Sequence, residues 1–210
     1  MRRFLAISTL VLFAVAVAGC GEFGKKYDGS SDSTAKAAAQ GSEKRITDEK
    51  FNDDTRTADG CTDIMEFDSE GSTHTTDPKE KVDYKHNPPM SGDHYEVPAD
   101  WGLYDTEQRD TETVHNLEHG HILITYKGLT DKQRNTLLDQ VRVNPFHLIV
   151  EPRKENPKDG VYYTAWTAQI FCERPSEVAL QYMIDNWRDQ GPELYTEDPG
   201  GNQMGSKQKK

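Results

Sequence analysis

Residues 121–150, HILITYKGLTDKQRNTLLDQVRVNPFHLIV, contain a strand, a helix and a second strand in succession. His121–Tyr126 is β-branched and aromatic and follows Gly120, a strand pattern. Thr130 and Gln133 then form a capping box, and Leu137, Leu138 and Val141 supply the short apolar stripe of a helix. Phe146–Val150 reads as the second strand, ended by Pro152. The turn NPKDG at 156–160 leads into a third, longer strand over Val161–Phe171. Pro175 opens a second helix whose Ala179, Leu180, Met183 and Trp187 recur at helical spacing, and Gly191-Pro192 stops it. This order predicts an α+β domain, a small and mainly antiparallel sheet with two helices on one face. A ferredoxin-like arrangement lacking its last strand is one candidate. Met65 and Met183 read as core.

The rest of the composition surrounds this domain with polar chain. The 210 residues carry 25 Lys+Arg against 36 Asp+Glu, a net charge of −11, and only 34% are apolar. Mean hydropathy is −0.86. An acidic surface excludes nucleic acid as a partner, because phosphate backbones are bound by clustered Lys and Arg. It equally disfavours electrostatic docking on anionic lipid.

The N-terminus reads as an address. Met1-Arg2-Arg3 is a charged start, Phe4–Ala18 an apolar run too short to span a bilayer, and Val17-Ala18-Gly19-Cys20 closes it. A Cys directly after Val-Ala-Gly resembles the lipobox of bacterial lipoproteins. That resemblance implies cleavage of residues 1–19 and lipidation of Cys20, with the protein held to the cell membrane or envelope by its acyl chains. The organisation expected is therefore a signal peptide over 1–19, a lipidated Cys and disordered tether over 20–58, a globular domain over 59–196 and a disordered tail over 197–210.

Cys61 and Cys172 are the only other cysteines. In an oxidising compartment such a pair is usually a disulfide, and closing a loop of this length contributes up to about 4–5 kcal/mol in the chain-entropy model. Two thiolates on a metal are the alternative, although neither flank supplies a further ligand at metal spacing.

Six of the seven histidines fall between His74 and His121. Two prolines stiffen residues 87–94, NPPMSGDH, and Ser91-Gly92 permits a sharp turn that aims His94. In residues 114–121, VHNLEHGH, a helical turn closed by Gly120 would put His115 and His119 on one face, four residues apart. Neutral imidazoles so placed can share one cation. The metal ligands expected are His94, His115 and His119, with His74 as fourth, and Glu118 behind them as an orienter of an imidazole. Met90 and His121 are further candidates, and a thioether would tilt preference toward Cu(I). His86 and His147 lack partners at useful spacing. The function expected is an extracytoplasmic lipoprotein that binds a transition metal, copper ahead of zinc, for capture or delivery.

Two other classes fit the same residues. Trp101, Tyr104 and Trp166 could line a non-enzymatic surface module for a protein or peptide partner from the envelope, or simply pack a core. His115–His119 also matches H-x-x-E-H, in which Glu118 would be the general base of a metallohydrolase. That chemistry needs a sustained helix and a large cleft, and the strand-like run after Gly120 speaks against it.

Five blocks together carry a more specific likeness. They are Asn87-Pro88-Pro89-x-Ser91-Gly92-x-His94, Trp101-Gly102-Leu103-Tyr104, Val114-His115-Asn116-Leu117-Glu118-His119-Gly120, Thr164-Ala165-Trp166 and Gln190-Gly191-Pro192-Glu193. In order and spacing, from about Cys61 to Glu193, they resemble the bacterial domain-of-unknown-function family 3105. The resemblance implies a secreted or membrane-tethered protein whose family histidines fall at His74, His94, His115 and His119. It implies no activity. Met90 stands where members commonly have Thr, and His121 where a small apolar residue is usual.

Overall fold

A computed structural model describes residues 51–193. The expected signal peptide, Cys20, most of the tether and the C-terminal tail lie outside the described residues. The last residues of the expected tether are among those described. Residues 51–58, polar enough to read as linker, begin with Phe51 buried against Tyr182, the two rings stacked at 4.6 Å. Asn52 then caps helix α1 (Asp53–Ala58) by accepting from the Asp54 and Thr55 amides. One aromatic anchor and one cap are enough to recruit the segment.

Four strands form the centre of the main sheet: β5 (Ile122–Lys127), β6 (Leu148–Pro152), β7 (Gly160–Ala165) and β8 (Ala168–Cys172). Short strands β1 (Met65–Glu66) and β4 (Gly102–Leu103) border them, in the order β1-β8-β7-β5-β6-β4. Three of the five pairings are antiparallel, so the α+β class holds. The strand order departs from the ferredoxin-like candidate. There the strands of the βαβ unit are split by a third, whereas β5 and β6 are direct parallel neighbours with Ile124 opposite Val150.

The long strand expected over Val161–Phe171 is a hairpin, β7 and β8 joined through Trp166-Thr167. Thr167 sits at φ 59°, in a region that favours glycine, so the turn carries no Gly, Asn or Pro signal in the sequence. Two main-chain hydrogen bonds hold it from outside: the Thr167 amide donates to the Met90 carbonyl at 3.0 Å, and the Phe67 amide donates to the Thr167 carbonyl at 2.9 Å.

Strand alternation divides the sheet into two faces. Ile122, Ile124, Leu148, Val150, Val161, Tyr163, Ile170 and Cys172 point to one face. Helices α3 (Asp131–Val143) and α4 (Glu177–Trp187) cover it with Leu137, Val141, Ala179, Leu180 and Met183. These are the two helices expected on one face. The Thr130/Gln133 capping box starts α3, and Ser176 caps α4 by accepting from the Ala179 amide. Cys61 and Cys172 form a disulfide within this core.

The opposite face is smaller and more polar. Leu123 and Ile149 meet Leu117 and Trp101 there, with Tyr104 and Trp166 packed against them. Leu117 belongs to helix α2 (Asp110–Glu118), where only a helical turn was expected. Apart from the sheet, β2 (His74–Thr75) and β3 (His94–Tyr95) pair in parallel beside α2.

Candidate metal centre

The β2–β3 ladder sets His74 directly opposite His94, and residues opposite each other in a ladder project to the same side. The Gly92 turn makes this possible. Its amide donates to the Gly71 carbonyl at 3.0 Å. Its φ of 121° leaves no room for a side chain against Tyr84. The Ser91-Gly92 turn thus precedes the strand that carries His94 beside His74.

Helix α2 supplies the other half. His115 and Glu118 lie three residues apart, so they share a face. Asn116 ties the helix to the preceding loop, donating to the Ala99 carbonyl at 2.9 Å and accepting from the Ala99 amide at 3.0 Å. At the C-terminal end the Gln190–Glu193 block closes on the helix. The Asp189 amide donates to the Gly120 carbonyl at 2.8 Å and the Glu193 amide to the Glu118 carbonyl at 3.1 Å.

One ligand atom each from His74, His94, His115 and Glu118 falls within 4.8 Å of the others. Nε2 of His74 lies 3.1 Å and Nε2 of His94 3.0 Å from Glu118 Oε2. The rings of His74 and His115 stack at 4.8 Å, and His94 tilts against His115 at 4.9 Å. With metal–ligand bonds of about 2.0–2.2 Å, neighbouring donors of a tetrahedral centre stand roughly 3.3–3.6 Å apart. Such a cluster could hold a metal ion.

The protons on these rings follow from the outer partners. Nδ1 of His94 donates to the Gly92 carbonyl at 2.8 Å, and Nδ1 of His115 donates to the Tyr95 carbonyl at 2.7 Å. Carbonyls only accept, so in each neutral ring Nε2 is the nitrogen that carries the lone pair. His94 Nε2 then faces a carboxylate oxygen at 3.0 Å, acceptor against acceptor. Only a proton or a cation between them makes that contact favourable. Main-chain carbonyls that fix the tautomer of an inward-facing imidazole are a regular feature of metal sites. Burial, first, and then the neighbouring His119, His94 and His74 depress His115 to about 4. The ring therefore stays neutral well into the acid range, and its Nε2 accepts from His119 Nε2 at 2.8 Å.

Glu118 and His119 are placed differently around the group. Glu118, expected behind the ligands, contributes an oxygen to the convergent group. His119, expected within it, is the C-cap of α2 and places its Nε2 2.8 Å from Nε2 of His115. The i,i+3 spacing of His115 and Glu118 was a signal for this that the H-x-x-E-H reading obscured. Because α2 ends at Glu118, that motif does not ride on a sustained helix.

The remaining candidates lie elsewhere. Met90 is buried. His121 Nδ1 accepts from Asn116 Nδ2 at 3.1 Å, and its ring stacks on His147 at 4.3 Å. His147 and His86, without partners at sequence spacing, both find acids in the fold: His147 Nδ1 meets Asp189 at 2.7 Å and His86 Nδ1 meets Glu70 at 2.5 Å. Trp101 is 9% exposed and belongs to the core against Leu117, Leu123 and Ile149.

Residues 75–200, more than half of the chain, match the family model described as Protein of unknown function (DUF3105). The chain belongs to the DUF3105 family. The DUF3105 match contains His94, His115, Glu118 and His119, together with the Gln190–Glu193 clasp, and begins directly after His74. No curated protein and no solved structure matches the chain.

Proposed function

We propose that this DUF3105 protein is a lipid-anchored protein of the cell envelope that binds a divalent transition-metal ion through His74, His94, His115 and Glu118, for capture or delivery. One observation carries the reading: the Nε2 lone pair of His94, with its Nδ1–H committed to the Gly92 carbonyl, faces Glu118 Oε2, and one ligand atom each of His74 and His115 lies within 4.8 Å of that pair's donor atoms. Three imidazoles and one carboxylate form a borderline-to-hard donor set without sulfur. That set favours Cu(II) or Zn(II) over Cu(I), and Cu(II) binds N/O sites more tightly than Zn(II) does. Copper therefore stands ahead of zinc.

The lipobox-like start supports the address, with the lipid at Cys20 as the membrane attachment and an envelope protein as the exchange partner. The Cys61–Cys172 disulfide is compatible with an oxidising compartment. Among the described residues no helix is long and apolar enough to cross a membrane.

The test is a competition titration of the purified chain with Cu(II) and Zn(II). The expected result is one ion bound per chain with micromolar or tighter affinity, lost in His94→Ala and in His115→Ala. Equal affinity in the wild type and both variants would remove the assignment.

A further inference from the structure

The four donors are held very unequally. Side-chain exposure is 0% for His94 and 4% for Glu118, but 39% for His74. His115 is buried in α2, which packs on β3 and β5. His74 sits on a two-residue strand that, among the described residues, pairs with β3 and with no other strand. No residue from Thr62 to Asn87 is buried. What holds the His74 segment is main-chain pairing with β3 and polar contacts, the Thr73 amide donating to Asp93 Oδ1 at 3.0 Å and the Glu70 amide to Ser91 Oγ at 2.9 Å. Segments with few buried apolar contacts and exposed hydrogen bonds open at low free-energy cost.

Resting on the metal-binding reading above, we propose that His74 is the exchange ligand: the ion enters and leaves on the His74 side while His94, His115 and Glu118 hold it. In the outward step the metal–nitrogen bond to His74 breaks and its lone pair returns to the imidazole. A lone pair from the acceptor, an imidazole, carboxylate or thiolate donor, then fills the vacated position. The three buried ligands are displaced in turn after that. No electron is transferred, and the oxidation state of the ion is unchanged. The arrangement suits a protein that hands its ion to another set of ligands more than one that stores it, because a fully buried tetrad would give an incoming donor no position to attack.

The experiment loads the full chain with Zn(II) and follows removal of the ion by nitrilotriacetate at increasing concentrations, in the wild type, His74→Ala and His74→Gln. In the wild type the removal rate is expected to level off at high chelator, where departure of His74 becomes the slow step. In both variants it is expected to rise linearly with chelator and, at low chelator, to exceed the wild-type rate at least about tenfold, the scale on which single interactions at metal sites act. Apo forms of the variants are expected to melt like the wild type, since His74 anchors no core. A wild-type rate that is linear in chelator, or levelling-off that persists in both variants, overturns the exchange role while leaving metal binding intact. A wild type that takes up no ion overturns the metal reading and the exchange role together.

Discussion

Gly191 lies so close to the carbonyl of Glu118 that a β-carbon at position 191 would overlap that oxygen and crowd the Gly120 amide. The neighbouring Gly120 is equally confined, with Asp189 Cα only 2.8 Å from where its own β-carbon would stand. Two glycines thus let the 188–193 segment lie directly on the end of the helix that presents His115 and Glu118. The Gly120 and Gly191 positions of the two motif blocks are one backbone contact, on which the end of the helix that presents His115 and Glu118 rests.

Gly191→Ala is accordingly expected to destabilise the fold by about 1–3 kcal/mol, the range for forcing extra carbon into a packed site. It should also weaken metal binding, because the end of α2 must move. Thermal melting of the apo protein and a Zn(II) titration measure the two effects. Unchanged affinity would show that the clasp supports the fold without setting the site.

Metal binding is expected to raise the melting temperature, by an amount that grows with free ion as the logarithm of its excess over Kd. At a hundredfold excess the stabilisation is about 2.7 kcal/mol. Addition of a strong chelator should reverse it. Glu118→Gln keeps the shape but removes a charged oxygen from the ligand set, and should abolish most of the shift. A full shift in that variant would assign the ion to another site.

The apo protein is expected to lose stability as pH falls from about 6.5 toward 4. Burial depresses His115 to about 4, and burial with the adjacent His147 depresses His121 to about 3. Between these values and the ordinary histidine value near 6.5 the unfolded chain binds protons that the folded chain refuses. The contribution of these two groups is therefore complete above about 6.5 and drains away below it. Melting temperatures from pH 7 to 4.5 should show a shallower slope in His121→Val, which removes one of the two groups.

Glu151 works in the opposite direction. It is fully buried beneath the polar side of β6, accepts from the Gln108 amide at 2.5 Å and is pushed up to about 8 by burial, with Asp110 and Glu107 adding to the effect. Its folded value lies above the ordinary 4.5, so its contribution is fully present below pH 4.5 and is lost as pH rises toward 8. Glu151→Gln keeps an acceptor for Gln108 and should be more stable than the wild type at pH 8, by something on the order of 1 kcal/mol, with the difference shrinking at pH 5. A variant that is less stable at pH 8 would contradict this.

Replacing both Cys61 and Cys172 by Ala should cost about 2–5 kcal/mol, since the bridge closes a sequence separation of 111 residues. Metal affinity should change little, because the bridge belongs to the core beneath α3 and α4 and the histidines lie on the other side of the sheet. Chemical denaturation and the same metal titration separate the two outcomes.

Local chemistry made part of this molecule readable in one dimension. The Thr130/Gln133 box, the apolar stripes of α3 and α4 and the β-branched runs of β5 and β6 act over a few residues, so propensity and periodicity expose them. The pairing of β5 with β6, the Trp166-Thr167 turn and the burial of Phe51 depend on partners far along the chain and left no local mark. At the site, the sequence by itself determined which residues were candidates, because imidazole and carboxylate are the donors a metal needs and six histidines crowd one segment. Only the tertiary structure decided which of their atoms come together. A parallel ladder places His74 beside His94, and the last turn of α2 turns Glu118 inward while His119 caps the helix. A metal site is a meeting of side chains from separated segments, and backbone pairing between those segments, not the spacing within either, determines which atoms meet.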